Sequence, residues 1–181
     1  MVSPLKVNRR QWLRYCIGSG ASTVALGWLW PLVNRAWAAD VDMDSFCLAY
    51  PYNSRCENYL PGVQAVDEAG KPYQVAALLA DVAVGDRIPA QGLKDKSYLV
   101  IETGLQVAPY GLSAVCTHLG CLVDWSPTEQ AFICPCHNSH YDSFGQVTRG
   151  PASKPLALTT VVVKDNQIGL LNQEPAENPR D

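Results

Sequence analysis

Between residues 116 and 142 the chain places four of its seven cysteines and all three of its histidines. They fall in two boxes, CTHLGC at 116–121 and CPCHNSHYD at 134–142, separated by twelve residues. Thiolates and imidazoles in this density are metal-ligand chemistry. The boxes can serve one centre only if the chain turns back between them. The intervening residues 122–133 read as strand, turn (Ser126-Pro127-Thr128) and strand, which returns the second box beside the first. Four cysteines and two histidines, His118 and His137, exceed the four positions of one tetrahedral zinc. Some of the cysteines therefore have another task.

The rest of the body supports a β framework for these loops. Short β-like runs are expected at 87–90, 98–102, 112–115, 122–125, 131–133, 156–164 and 167–171, with Asp165-Asn166 as the hairpin turn between the last two. Residues 76–82 are expected to form one short helix. The fold class that follows is all-β, a small antiparallel sandwich or barrel with a metal-binding subdomain. The organisation expected is an N-terminal segment at 1–39, an irregular linker at 40–72, the metal-binding domain at 73–172 and a frayed polar tail at 173–181.

Charge separates the N-terminal segment from the body. Residues 1–39 carry five bases and no acid. Residues 40–181 hold all 17 acids against the other nine bases, eight negative charges net, which excludes a nucleic-acid partner. The start joins Arg9-Arg10 to an apolar run at 15–33 and a small-residue ending at Ala36-Trp37-Ala38. It looks like a twin-arginine export signal, cleaved or retained as a membrane anchor. Either way the body is expected across the membrane from the basic end. Cys16 reads as incidental. In an exported protein, Cys47 and Cys56, bracketing CLAYPYNSRC, are expected to form a local disulfide.

The paired boxes resemble those of Rieske [2Fe–2S] proteins, in which two histidines replace two cysteines on one iron. The flanks QGLKDKSYLVIE (91–102), YGLSAVCTHLGC (110–121) and GPASKPLAL (150–158) are similar to the Rieske subunit of cytochrome b6f complexes of cyanobacteria and chloroplasts. The resemblance implies Cys116, His118, Cys134 and His137 as cluster ligands and a disulfide between Cys121 and Cys136. It implies that Ser139 and Tyr141 donate hydrogen bonds to cluster or cysteine sulfur. It also implies that Leu119 packs beside the histidines and that Gly150-Pro151 covers the site. Neutral imidazoles make such a centre less negative, and the Rieske range reaches about −150 to +300 mV, against about −400 mV for plant-type ferredoxins.

The function implied is electron transfer within a plastoquinol–plastocyanin reductase type of complex. A quinol would give an electron to the centre and a proton to His118 or His137. A b-type cytochrome and a cytochrome f- or c1-like subunit would be neighbours, a soluble copper or haem protein the acceptor, and the periplasm or thylakoid lumen the location. Two other functions fit the same residues: a soluble exported Rieske protein of another oxidoreductase, and a structural zinc or redox-sensing module. His140 is expected to be a surface bystander and Trp125 a core residue. The sequence departs from the family pattern at Asn138, where Gly is usual and a left-handed backbone is expected, and at Ser153, where a second proline is common. It departs again in the linker, where AWAAD and the Cys47–Cys56 segment replace a glycine-rich hinge.

Overall fold

Asp165 and Asn166 both adopt left-handed φ (47° and 63°), the requirement of a tight two-residue hairpin. They join β9 (Leu158–Lys164) to β10 (Gln167–Leu171), paired Lys164 to Gln167 through Leu171 to Thr160. This hairpin is part of a larger sheet in the computed structural model, which describes residues 41–181. The other strands of that sheet are β1 (Val63–Gln64), β2 (Arg87–Ala90), β3 (Ser97–Glu102) and β4 (Gln106–Ser113). All pair antiparallel, in the order β1-β10-β9-β4-β3-β2.

A second antiparallel sheet, in sequence order, contains β5 (Asp124–Ser126), β6 (Ala131–Ile133), β7 (His140–Tyr141) and β8 (Val147–Arg149). The architecture is the expected all-β one. Strand β3 is apolar on both faces because both faces are covered. Tyr98 and Val100 join a core with Tyr110, Leu112, Phe132, Tyr141 and Leu156, while Leu99 faces a second core with Leu78, Val161, Ile168 and Leu170. The first core includes Cys116 and Cys134, so the site loops are rooted in packed interior.

Three expectations are corrected. The strand expected at 112–115 begins at Gln106, and Val115 makes only an isolated bridge to Leu122. Pro109 and Gly111 resemble strand breakers, but Pro109 lies where the pairing shifts: between Leu99↔Gly111 and Ile101↔Val107, β4 has three residues against one. A bulge is where a strand tolerates proline.

The linker expected to be irregular contains α1 (Met43–Ala49), a 3-10 turn at Ser54–Cys56 and strand β1. The Cys47–Cys56 disulfide ties the first two together, and the Asp44 carboxylate accepts from the Tyr59 hydroxyl and the Gly62 amide, both at 2.7 Å. Lys164 Nζ donates to the Cys56 and Tyr59 carbonyls, docking this segment on the β9–β10 hairpin. The tail beyond β10 has no regular structure, yet it is not frayed: Arg180 donates to Phe144 O at 2.9 Å and to Leu156 O at 2.6 Å.

The expected short helix is α2 (Val75–Ala80). Among the described residues no helix is long and apolar enough to cross a membrane. The twin-arginine segment, its cleavage site and Cys16 lie outside the described residues.

Candidate metal centre

The two boxes fold into the same turn. In the first, the Cys116 amide donates to Cys121 O (2.8 Å) and the Gly120 amide to Cys116 O (2.9 Å). In the second, the Cys134 amide donates to Ser139 O (2.8 Å) and the Asn138 amide to Cys134 O (3.1 Å). Each turn therefore closes from its first residue to its sixth and from its fifth back to its first. The fifth residue is left-handed in both: Gly120 at φ 81° and Asn138 at φ 56°. Asn138 is thus the backbone counterpart of Gly120, and its positive φ meets the expectation for that position.

The β5–β6 hairpin carries one turn back to the other, as the spacing required. The rings of His118 and His137 meet edge to face with centroids 4.7 Å apart. Cys121 and Cys136 are joined in a disulfide across the two turns. Cys116 and Cys134 remain as free thiols, both buried, at 2% and 1% exposure. The Cys134 sulfur lies within 4.8 Å of the sulfurs of both Cys121 and Cys136, so the disulfide abuts a free thiol without forming a three-thiol site.

The groups left open are two thiols and two imidazoles. His137 is exposed and His118 half-buried. His118 Nδ1 is buried and has no hydrogen-bond partner among the described residues. An orphaned buried nitrogen is costly unless its lone pair is taken up. Two buried free thiols and this unpartnered nitrogen, on turns whose histidine rings meet, suit a bound metal centre.

The surroundings prepare the sulfur. Burial pushes the Cys116 thiol up, but hydrogen bonds from Tyr141, from the His118 backbone and with Cys134 and Ser139 outweigh it and leave the thiol below its ordinary value. The Tyr141 hydroxyl lies 3.2 Å from Cys116 Sγ. Burial, then the bond to Cys116, hold Tyr141 above its ordinary value, against the Thr117 hydroxyl and amide. Both shifts act together: the proton stays on tyrosine and the charge is favoured on sulfur, the form that binds metal.

Ser139 is fully buried, and its Oγ accepts from the Ala152 amide at 3.2 Å. That contact draws residues 150–152 over the second turn. Only glycine allows it, because a Cβ at Gly150 would lie 2.6 Å from Asn138 O and Ser139 Cα.

Leu119 is 70% exposed at the tip of the first turn. His140 is half-buried, and its Nε2 pairs with Asn138 Oδ1 at 2.9 Å. Trp125 meets Phe132 at a tilt of 54°, with centroids 4.8 Å apart, and lies under Arg87. Ser153 is exposed. Thr117 was not singled out from the sequence. Its hydroxyl donates to Lys154 O (2.6 Å) and lies 3.1 Å from the Tyr141 hydroxyl, joining the first turn to the covering loop. Its only signal was its place between Cys116 and His118.

Residues 71–164 match the Rieske [2Fe-2S] domain family. The chain is 41% identical over 165 residues to the cytochrome b6-f complex iron-sulfur subunit of Synechococcus elongatus, covering 91% of this chain and 84% of that one. It is 42% identical over 163 residues to the subunit of the same name from Trichodesmium erythraeum, covering 90% and 83%. Among solved structures it is similar to the plasma membrane Rieske protein PetC3 from Synechocystis, at 27% identity and a TM-score of 0.44 over 54% of this chain and 94% of that one. The chain belongs to the Rieske [2Fe–2S] family.

Proposed function

We propose that this chain is the Rieske electron-transfer subunit of a b6f-type complex, receiving one electron and one proton from a quinol and passing the electron to a soluble copper or haem protein. The observation that carries the reading is the donor set: two free buried thiols and two touching imidazoles on twin turns, with the other two cysteines joined to each other. Cys116 and Cys134 would hold one iron and His118 and His137 the other. The [2Fe–2S] cluster supplies the one-electron acceptor.

The side chains set the conditions for that chemistry. His137, exposed on the second turn, is the imidazole that a quinol hydroxyl can reach, and Leu119, exposed on the first turn, offers apolar contact. A neutral imidazole near pH 7 accepts a hydrogen bond and takes up a proton when negative charge is added nearby. Tyr141 donates to Cys116 sulfur, and the Ser139 hydroxyl, held by the Ala152 amide, faces the same thiol. Donors directed at sulfur favour the reduced, more negative state. The Cys121–Cys136 disulfide holds the turns together. The curated relatives named above are subunits of b6-f complexes, which supports a b-type cytochrome and a cytochrome f- or c1-like subunit as neighbours. Export by the twin-arginine route would place the domain on the periplasmic or lumenal side.

The test is purification from native membranes with identification of the mature N-terminus and of bound partners, followed by rapid mixing of the oxidised protein with a quinol. The expected result is co-purification with a b-type cytochrome and reduction of the oxidised protein by the quinol. A chain that purifies alone, with zinc and no iron, contradicts the reading.

A further inference from the structure

Tyr141 owes its place to a short element. Strand β7 is two residues long, and its register shifts between His140 and Tyr141. The ring is fully buried in the core, but so short a strand leaves the backbone beyond it to be set by the turn that follows. That turn, 142–146, is closed from within: Asp142 Oδ1 accepts from the Phe144 amide (2.9 Å) and the Gln146 amide (2.8 Å), and the Asp142 amide donates to Gln146 O (2.9 Å).

Two consecutive carbonyls of the turn, Ser143 O and Phe144 O, are taken by guanidinium groups from distant parts of the chain. Arg87 in β2 donates to Ser143 O from Nη2 (2.9 Å) and Nε (3.3 Å). Its Nη1 bonds the carbonyl of Gly85 (2.7 Å), and its carbon lies 5.0 Å from the centre of the Trp125 ring. Arg87 is only 8% exposed. Arg180, in the tail, donates from Nε to Phe144 O (2.9 Å) and from Nη2 to Leu156 O (2.6 Å). Gly145 makes room for it, since a Cβ there would meet Arg180 Nη2 at 3.0 Å. Neither guanidinium forms an ion pair among the described residues. Their donors go to backbone oxygen. A charged donor on a carbonyl is a strong hydrogen bond, and the rigid fork of arginine can hold two acceptors at once, which an ammonium cannot do with the same geometry.

We propose that Arg87 and Arg180 are positioning residues that hold the turn after Tyr141 and thereby aim its hydroxyl at the Cys116 sulfur, tuning the potential of the centre. The proposal rests on the functional reading above. It gives the C-terminal tail a role in the redox site, although Arg180 lies 39 residues beyond Tyr141 in the sequence.

The test uses the full-length, cluster-loaded protein. Arg180→Ala and Arg180→Lys are compared in the native background and in Tyr141→Phe, by protein-film voltammetry, with cluster content from spin integration. Arg87→Lys serves as a second variant at the other anchor. The expected result is a lower midpoint potential for each arginine variant in the native background, at unchanged cluster content, and no further lowering in Tyr141→Phe. An unchanged potential overturns the proposal. So does an equal drop in both backgrounds, which means the arginine does not act through Tyr141. So does a native value in Arg180→Lys, which assigns the effect to charge alone. A native protein with no binuclear iron signal fails at the earlier step, the functional reading itself, and takes the proposal with it.

Discussion

The turns at 116–121 and 134–139 close through the same pair of backbone hydrogen bonds and place a left-handed residue at the same point, but they are read out differently by their side chains. The first turn carries histidine at its third position, half-buried, with Nδ1 out of solvent. The second carries cysteine at its third position and histidine at its fourth, exposed. The disulfide partners are offset too, in the opposite direction, at the sixth position of the first turn and the third of the second. One backbone template therefore yields two Cys–His pairs of unequal access, His137 outward and His118 tucked in. The shared template sets where sulfur goes; the offset decides which imidazole meets the outside.

The comparison can be broken most completely at the first residue of either turn. Cys116→Ser and Cys134→Ser are each expected to abolish bound iron, read as loss of visible absorbance and of the reduced-state spin signal. Cluster content within twofold of the native protein in either variant contradicts the symmetric role of the two thiols.

Next in size is the link between the turns. The double variant Cys121→Ser/Cys136→Ser removes a disulfide closing 15 residues, which is expected to cost about 3 kcal/mol of stability in denaturant titration. Cluster loss should accompany it, since among the described residues no other cross-link ties the two turns side by side. Full retention of both stability and cluster shows that packing alone sets their spacing.

A smaller effect separates ligands from tuners. Ser139→Ala and Tyr141→Phe should each lower the midpoint potential while leaving the cluster in place. Both donors act on the first turn's sulfur from the second turn's side, so equivalent changes at Leu119 should leave the potential unmoved. Voltammetry showing native potentials in the Ser139 and Tyr141 variants contradicts the assignment.

The smallest expected effect sharpens the backbone equivalence. Asn138→Gly should be neutral or slightly stabilising and Gly120→Asn tolerated, because a Cβ at Gly120 meets nothing within 4 Å. Asn138→Ala should cost about 1 kcal/mol, the penalty for an ordinary side chain in the left-handed region. Equal stability of the Ala and Gly variants at 138 means that the left-handed turn is not what holds that residue.

Much of this centre was legible in the residues, and the reasons differ by level. The boxes and the hairpin between them required only spacing and strand propensity, and 131–133 and 167–171 were placed to the residue for the same reason. The division of the cysteines required resemblance to a family, since spacing alone left several pairings open. Strand β4 was misread because Pro109 and Gly111 look like breakers unless the bulge opposite Val100 is known. Helix α1 was hidden among Tyr, Asn and Pro because its support is a disulfide and an Asp44 carboxylate reaching 15 and 18 residues ahead. The tail looked frayed because the carbonyls that Arg180 binds lie 36 and 24 residues away. Local pattern reports local partners; these contacts are distant.

Two thiols and two imidazoles from twin turns are expected to hold one binuclear cluster. Pulsed electron paramagnetic resonance of the reduced protein tests it most directly. Couplings to two distinct histidine nitrogens on a [2Fe–2S] spin system are expected, with one lost in His118→Ser and the other in His137→Ser. A spin-silent protein with one zinc, or a spectrum without histidine coupling, contradicts it.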